Sequence, residues 1–499
     1  MGTNIIQKQS LFSTIFNYLG VGIAYINLLF ILPHFLTLKE IGVMRLIIEM
    51  ATLFMLVFQF GSPYLVIRYF PTYVESEEKQ RSFYTLAITF SILGIGMMSI
   101  FYWIFRDPIL NYFSEKSSLI SDYEKAFLVI AASLVLFNVF ERIFSSKKII
   151  AIPTFFKEFV YRVGLSVVAI LIGIKLVSFS QGINIWMFFY LLAPIILLFL
   201  YKKKFGLKFN FNGAVWNKPN LRKYLGYASI VSLGAIGGGL SIKIDMIMTG
   251  SMLGPEQLTI YATMVYVATV IEIPKRALVQ ISDPFISEYY TEGKIDKIGA
   301  LHKKNSVVLL VFGVFIFLGI YFNLPYLFQI MPKGESFALG INVFLIISGV
   351  KFMSLLSGIS NQILLNSVEA WVSSVTIVIL AFTSIVLNYY LIPIYGLEGA
   401  AFATLISVGI NHALVMIYVY WKFRIHPFCK QIFLLFGFAV LLFLALIQVP
   451  MISNPYLGIL ITTSIISIVF PLAIWKLNIS EDANQLLIQL ISKIKEKVI

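Results

Sequence analysis

Residues Tyr224–Leu253 read YLGYASIVSLGAIGGGLSIKIDMIMTGSML, a glycine-rich apolar run between a lysine-rich approach and a Gly254–Pro255 break. About 30 residues suffice for a helix to cross the ~30 Å hydrocarbon layer of a bilayer. Lys243 and Asp245 sit near the centre of that run. Charge at mid-depth costs at least ~2.5–3.5 kcal/mol per residue on insertion scales, so such residues face a polar interior rather than lipid. The stretch predicts a membrane helix that opens a second helical lobe. Its charges would turn to a polar space between two lobes, and a polar space in a membrane suggests that something polar passes through.

The rest of the chain agrees. Of 499 residues, 59% are hydrophobic and 12% charged, about half the charge of a soluble protein. This predicts an all-α polytopic membrane protein. A single cysteine, Cys429, excludes an intramolecular disulfide and a CxxC site, and the four histidines lack metal-ligand spacing. No metal or cofactor is expected. The net charge of +14 lies in short loops between apolar segments, which argues against nucleic acid as a partner. Residues 1–10 lead directly into an apolar segment that reads as a retained anchor rather than a cleaved signal.

Fourteen spans are expected, at roughly 12–33, 42–66, 83–105, 124–145, 153–178, 184–201, 224–253, 258–282, 304–326, 338–365, 370–393, 398–421, 431–450 and 455–476. The loops after even-numbered spans, with those on the same side, hold about 28 of the 38 Lys and Arg residues, against about seven opposite. That bias predicts both termini in the cytoplasm. In the tail, Leu486, Leu487, Leu490, Ile491, Ile494 and Val498 form one stripe at helical spacing, as in a helix lying on the inner leaflet.

Three stretches carry a family resemblance. LLFILPHFLTLKEIGVMRLI (Leu28–Ile47) is an apolar helix, a turn and a new helix start. DMIMTGSMLGPEQLTIYATM (Asp245–Met264) echoes it about 217 residues later, Leu253–Glu256 corresponding to Leu36–Lys39. LNYYLIPIYGLEGAAFATLIS (Leu387–Ser407) joins two helices through N-x-x-x-I-P-x-Y-G-x-x-G-A-A-x-A-T. Together they resemble the Wzx-type polysaccharide flippases of the MOP exporter superfamily, across essentially the whole chain. The resemblance implies two pseudo-symmetric six-helix lobes and a peripheral helix pair. The corresponding divisions are 1–203, a basic cytoplasmic linker at 204–223, 224–422, spans 13 and 14 at 423–478, and the amphipathic tail at 479–499. It further implies a bacterial inner-membrane protein that is not an enzyme. Its cargo would be a lipid-linked oligosaccharide, as in O-antigen and lipopolysaccharide assembly, and its partners membrane lipids and glycan-assembly enzymes. Independently of the family, an internal repeat allows two lobes to rock about a shared cleft. The glycines of 234–239 and 396–399 would let helices approach closely.

Several charges lie inside the spans. Arg45 and Glu49, and likewise Glu158 and Arg162, are four apart and share a helix face. Glu272 closes span 8, and Lys351 stands near the middle of span 10. Lys243 and Asp245 are about 200° apart around their helix, so they face different neighbours. Lys243 and Lys351 have no acid on their own faces, which makes them the leading candidates to hold a pyrophosphate or acidic sugar, with Arg45 and Arg162 opposite. Asp245, Glu49, Glu158 and Glu272 are charge partners or possible points of ion coupling. His412 reads as a packed histidine. Two other classes stay open: a MATE-like small-cation exporter, which would prefer an acidic cavity, and a membrane polysaccharide polymerase or ligase, which would need a larger outer loop.

Overall fold

The computed structural model describes residues 2–480 and Asn484, apart from Glu75, Ser118 and residues 206–209. Among these the regular structure is entirely helical. The principal helices are α1 (Gly2–Ile26), α2 (Leu38–Phe58), α3 (Glu77–Ser117), α4 (Glu124–Ser146), α5 (Tyr161–Gly173), α6 (Phe179–Phe205) and α7 (Lys218–Leu253). They continue with α8 (Pro255–Thr269), α9 (Ile273–Thr291), α10 (Ile295–Ile330), α11 (Ile341–Ser357), α12 (Ala370–Phe423), α13 (Lys430–Ile447) and α14 (Pro455–Lys476). Most of the expected tail helix lies outside the described residues.

Ten helices among the described residues are long and apolar enough to cross a membrane, and an eleventh is α7, bent by 51° between Leu240 and Lys243. One of the ten, α12, carries two expected spans, so twelve of the fourteen are accounted for, and the other two are present in less regular form. Residues 151–173 form Ala151–Phe155 and α5, joined by a π-turn at Phe156–Val160. The α11 helix has only 17 residues. The eleventh and twelfth expected spans both lie within α12, whose 54 residues would extend ~80 Å if straight. They are not straight. Gly396 adopts φ +58°, ψ −129°, and a Cβ placed on Gly399 would lie 2.1 Å from the Leu391 carbonyl oxygen. Residues eight apart in a straight helix are ~12 Å apart, so the chain folds back here, as the third quoted stretch predicts.

Local chemistry accounts for the other turns. Thr37 caps α2: its hydroxyl accepts from the Glu40 N–H at 3.2 Å, and the Glu40 carboxylate accepts from the Thr37 N–H at 2.8 Å. This reciprocal pair satisfies two donors that a helix start otherwise strands. The echo at Gly254 starts α8 with Pro255 in the first turn, where its missing N–H costs nothing.

By compactness the chain divides into Met1–Thr259 and Ile260–Ile499. The α7 helix, read from sequence as the start of a second lobe, packs in the first of these units, against α2 and α3. The start of α8 is seated tightly on α2: a Cβ on Gly42 would lie 1.9 Å from the Pro255 carbonyl oxygen. The Thr259 hydroxyl donates to the Leu38 carbonyl at 2.7 Å. The basic linker is tied to the same unit. The Asn212 side-chain amide donates to Glu78 at 3.0 Å, its backbone N–H donates to Ser82 at 3.0 Å, and the Tyr73 and Tyr224 hydroxyls are bonded. In the second unit α13 and α14 pack on α10, and α11 packs on α12. Large apolar side chains such as Trp103, Ile230, Leu441 and Leu460 stand on the exterior, as expected where the solvent is lipid rather than water.

Candidate functional site

Within the first unit, α2, α4, α6, α7 and the 151–173 segment enclose a cavity of about 560 Å³. Its basic lining residues are Arg142, Lys157, Arg162 and Lys243, against one acid, Glu141. Gln59, Asn138, Tyr64, Tyr161 and Tyr190 add polar groups. Tyr161 and Tyr190 stack, with ring centroids 4.3 Å apart at 15°, and form one wall.

Each candidate charge has a definite place. Glu49 is almost wholly buried and serves two cations: Arg45 Nε lies 3.0 Å from Oε1 and Lys243 Nζ 2.6 Å from Oε2. The expected Arg45–Glu49 pair is therefore present. Lys243 has no acid on its own helix face, and the acid it meets comes from a helix 194 residues earlier in sequence. Same-face spacing cannot reveal such a partner. Asp245 is buried, accepts the Met246 N–H at 2.8 Å and lies within electrostatic reach of Arg45. Lys243 and Asp245 thus meet different residues, as their angular separation predicts, though both are on α2. Arg162 pairs with Glu158 at 2.5 Å, the second expected i,i+4 pair.

Lys351 belongs to the second unit and likewise meets an acid from outside its own helix. Its Nζ lies 3.2 Å from Glu272 Oε2, and Lys275 Nζ lies 4.0 Å from Oε1. The Ser354 hydroxyl donates to Glu272 and accepts from Lys275, which also donates to the Ser354 carbonyl at 2.8 Å. His412 lies within electrostatic reach of these three charges. The structure thus gathers Arg45, Glu49, Lys243 and Asp245 in one cluster beside the cavity, Glu158 and Arg162 in another, and Glu272 with Lys351 in a third.

Sequence reading did not single out Arg142, Lys157, Asn138 or Gln59 as site residues. Lys157 reaches Glu141 at 3.7 Å while remaining half-exposed. Arg142 makes no ion pair among the described residues. The signal that was available is the spacing Asn138–Arg142 on α4, four residues apart and so on one face.

Chemically, the cavity suits an anion. Cations in a partly wet enclosure attract a phosphate more strongly than they would in bulk water, and amide and phenol groups offer directional hydrogen bonds around it.

No curated protein matches the chain by sequence. Its fold is shared by solved structures, among them these three. One is the lipid II flippase MurJ in an inward closed conformation, 14% identical with TM-score 0.66, matched over 94% of this chain and 98% of that one. Another is an inward-facing multidrug resistance MATE family transporter of the MOP superfamily, 13% identical with TM-score 0.61, over 83% and 94%. The third is a MOP superfamily transporter from Pyrococcus furiosus with a binding pocket of reverse polarity, 12% identical with TM-score 0.53, over 84% and 93%. The profile of the family described as polysaccharide biosynthesis protein matches residues 6–289. With more than half its length so matched and the fold of MOP superfamily transporters, the chain belongs to the polysaccharide biosynthesis protein family.

Proposed function

We propose that this protein is a MOP-type transporter that moves a polyprenyl-pyrophosphate-linked oligosaccharide from the inner to the outer leaflet of a bacterial cytoplasmic membrane. The observation that carries the reading is the first-unit cavity, with four basic side chains to one acid. The anionic head would rest there while the polyprenyl chain stays in the bilayer. Arg142 and Lys157 meet it first. Arg162 and Lys243 reach it by exchanging a carboxylate for a phosphate, and Arg45 keeps Glu49 neutralised when Lys243 leaves. Lys351, with Lys275 and Glu272, forms a second cationic group, one carboxylate between two lysines, available to the head at a later stage. Alternating access by rocking lobes completes the cycle, with both termini in the cytoplasm. A membrane potential negative inside favours outward movement of the head by ~2.3 kcal/mol per charge per 100 mV. Asp245, Glu49, Glu158 and Glu272 are the places where proton or sodium coupling would act.

The MATE-like alternative calls for a cavity that attracts cations, and this lining repels them. Proteoliposomes loaded with fluorescent polyprenyl-pyrophosphoryl oligosaccharide or with an organic cation separate the two. Translocation of the lipid-linked sugar, lowered about tenfold or more by Arg142→Ala, is the expected result. Movement of the organic cation alone would reject the proposal.

A further inference from the structure

We infer that the cavity holds a second subsite, formed by the side-chain amides of Gln59 and Asn138, that reads the saccharide ring next to the phosphate. The inference rests on the cargo reading above and adds the part of the cargo that the cations do not see. Asn138 and Arg142 lie four residues apart on α4, hence on one face and ~6 Å apart along its axis. Both line the cavity, as does Gln59 from the end of α2. That rise is about the length of a hexose ring, so a phosphate on Arg142 brings the adjoining ring alongside Asn138.

The amide pair is under-committed. Asn138 Nδ2 donates to Met55 Sδ at 3.0 Å and to Gln59 Oε1 at 3.4 Å. A thioether is a weak acceptor, and a 3.4 Å contact is long for an N–H···O bond. A good donor thus spends itself on two poor partners at the wall of a cavity. Amides present donor and acceptor at fixed spacing, which matches ring hydroxyls and acetamido groups. A phosphate, which offers acceptors only, gains nothing from their carbonyl oxygens. The two ends of the cavity therefore select different chemistry: cations for the pyrophosphate, amides for a ring bearing hydroxyl or acetamido substituents.

The test is binding by the purified full-length protein of two probes, polyprenyl pyrophosphate and polyprenyl-pyrophosphoryl-N-acetylglucosamine. The wild type is expected to prefer the glycosylated lipid about tenfold, the scale of one or two neutral hydrogen bonds. Asn138→Ala should bring that ratio to about one, and Gln59→Met, close in shape, should do the same. Arg142→Ala should weaken both lipids and keep the ratio. Equal wild-type affinities would overturn the inference. So would an Asn138→Ala protein that loses both lipids equally, since that is the signature of a structural role. A collapsed ratio in Asn138→Ala together with unchanged affinities in Arg142→Ala would uphold the amide subsite and overturn the cationic one. Failure of the wild type to bind either lipid would overturn both.

Discussion

Replacing Glu49 by Gln changes the shape of the α2 side chain little and removes the charge that two cations share. Glu49 is 1% exposed, while Arg45 and Lys243 are each about one quarter exposed. Their nitrogens approach different oxygens of one carboxylate, which puts the two cations on the order of 5 Å apart. At an effective dielectric constant near 20, that separation corresponds to about 3 kcal/mol of repulsion once the acid is gone. The figure matches the ~3–5 kcal/mol typical of breaking a buried pair. Thermal unfolding of Glu49→Gln in detergent should therefore show a clear loss of stability. The double variant Glu49→Gln/Lys243→Met removes one of the repelling charges and should recover at least half of that loss. This is a coupling between neighbours that independent sites would not show. A double variant as unstable as the sum of the two single ones would refute the shared-carboxylate account. The same double variant also separates packing from transport. If Lys243 touches cargo, its lipid-linked sugar translocation stays low although its stability has returned. Wild-type translocation would make Lys243 a purely structural cation.

Arg142→Ala, at a position without an ion partner among the described residues, should lower transport about tenfold or more while leaving the melting temperature within a degree or two, measured on matched amounts of reconstituted protein. Gly42→Ala sets a methyl 1.9 Å from the Pro255 carbonyl and should cost about 1–3 kcal/mol or more. Gly22→Ala, with nothing within 4 Å among the described residues, should be neutral or slightly stabilising, and paired unfolding curves check the contrast. Just before α12, hydrogen bonds from Lys422 and then Tyr418 hold the Glu369 carboxyl below its ordinary range. A lowered carboxyl contributes stability above its unfolded-state value and loses it as pH falls through the folded one. Lys422→Met should therefore reduce stability at neutral pH and flatten its decline between about pH 5 and 3, as read from unfolding midpoints.

Much of the fold is visible in the sequence because the bilayer imposes a simple rule on it. Long apolar runs must be helices, and the turns at Thr37, Gly254 and Gly396 carry their own residue chemistry. The i,i+4 pairs Arg45–Glu49 and Glu158–Arg162 are equally readable, since one helix defines both partners. What lies between helices is less so. The acid facing Lys243 is on α2, and the one facing Lys351 is on α9's approach, at Glu272. No local spacing encodes either meeting. The cavity was missed for the same reason: Arg142 and Lys157 look like interfacial side chains until α2, α6 and α7 close around them. The glycines of 234–239 teach a further point. Gly239 does receive a neighbour, Leu56, at 2.1 Å from a notional Cβ, but Gly234 and Gly238 have nothing within 4 Å among the described residues. A glycine-rich run is thus no sure sign of helix contact.

The seat of α2 against residues 255–259 has a consequence in time as well as space. The chain emerges from the ribosome in order, and at ~5–20 residues per second the Pro255 carbonyl that abuts Gly42 is made some ten to forty seconds after Gly42 itself. Glu49 waits nearly as long for Lys243. During that interval its charge is balanced by Arg45, one turn away and available from the moment the helix forms. Glu49 thus has its first cation from its own helix and its second only when α7 has been made.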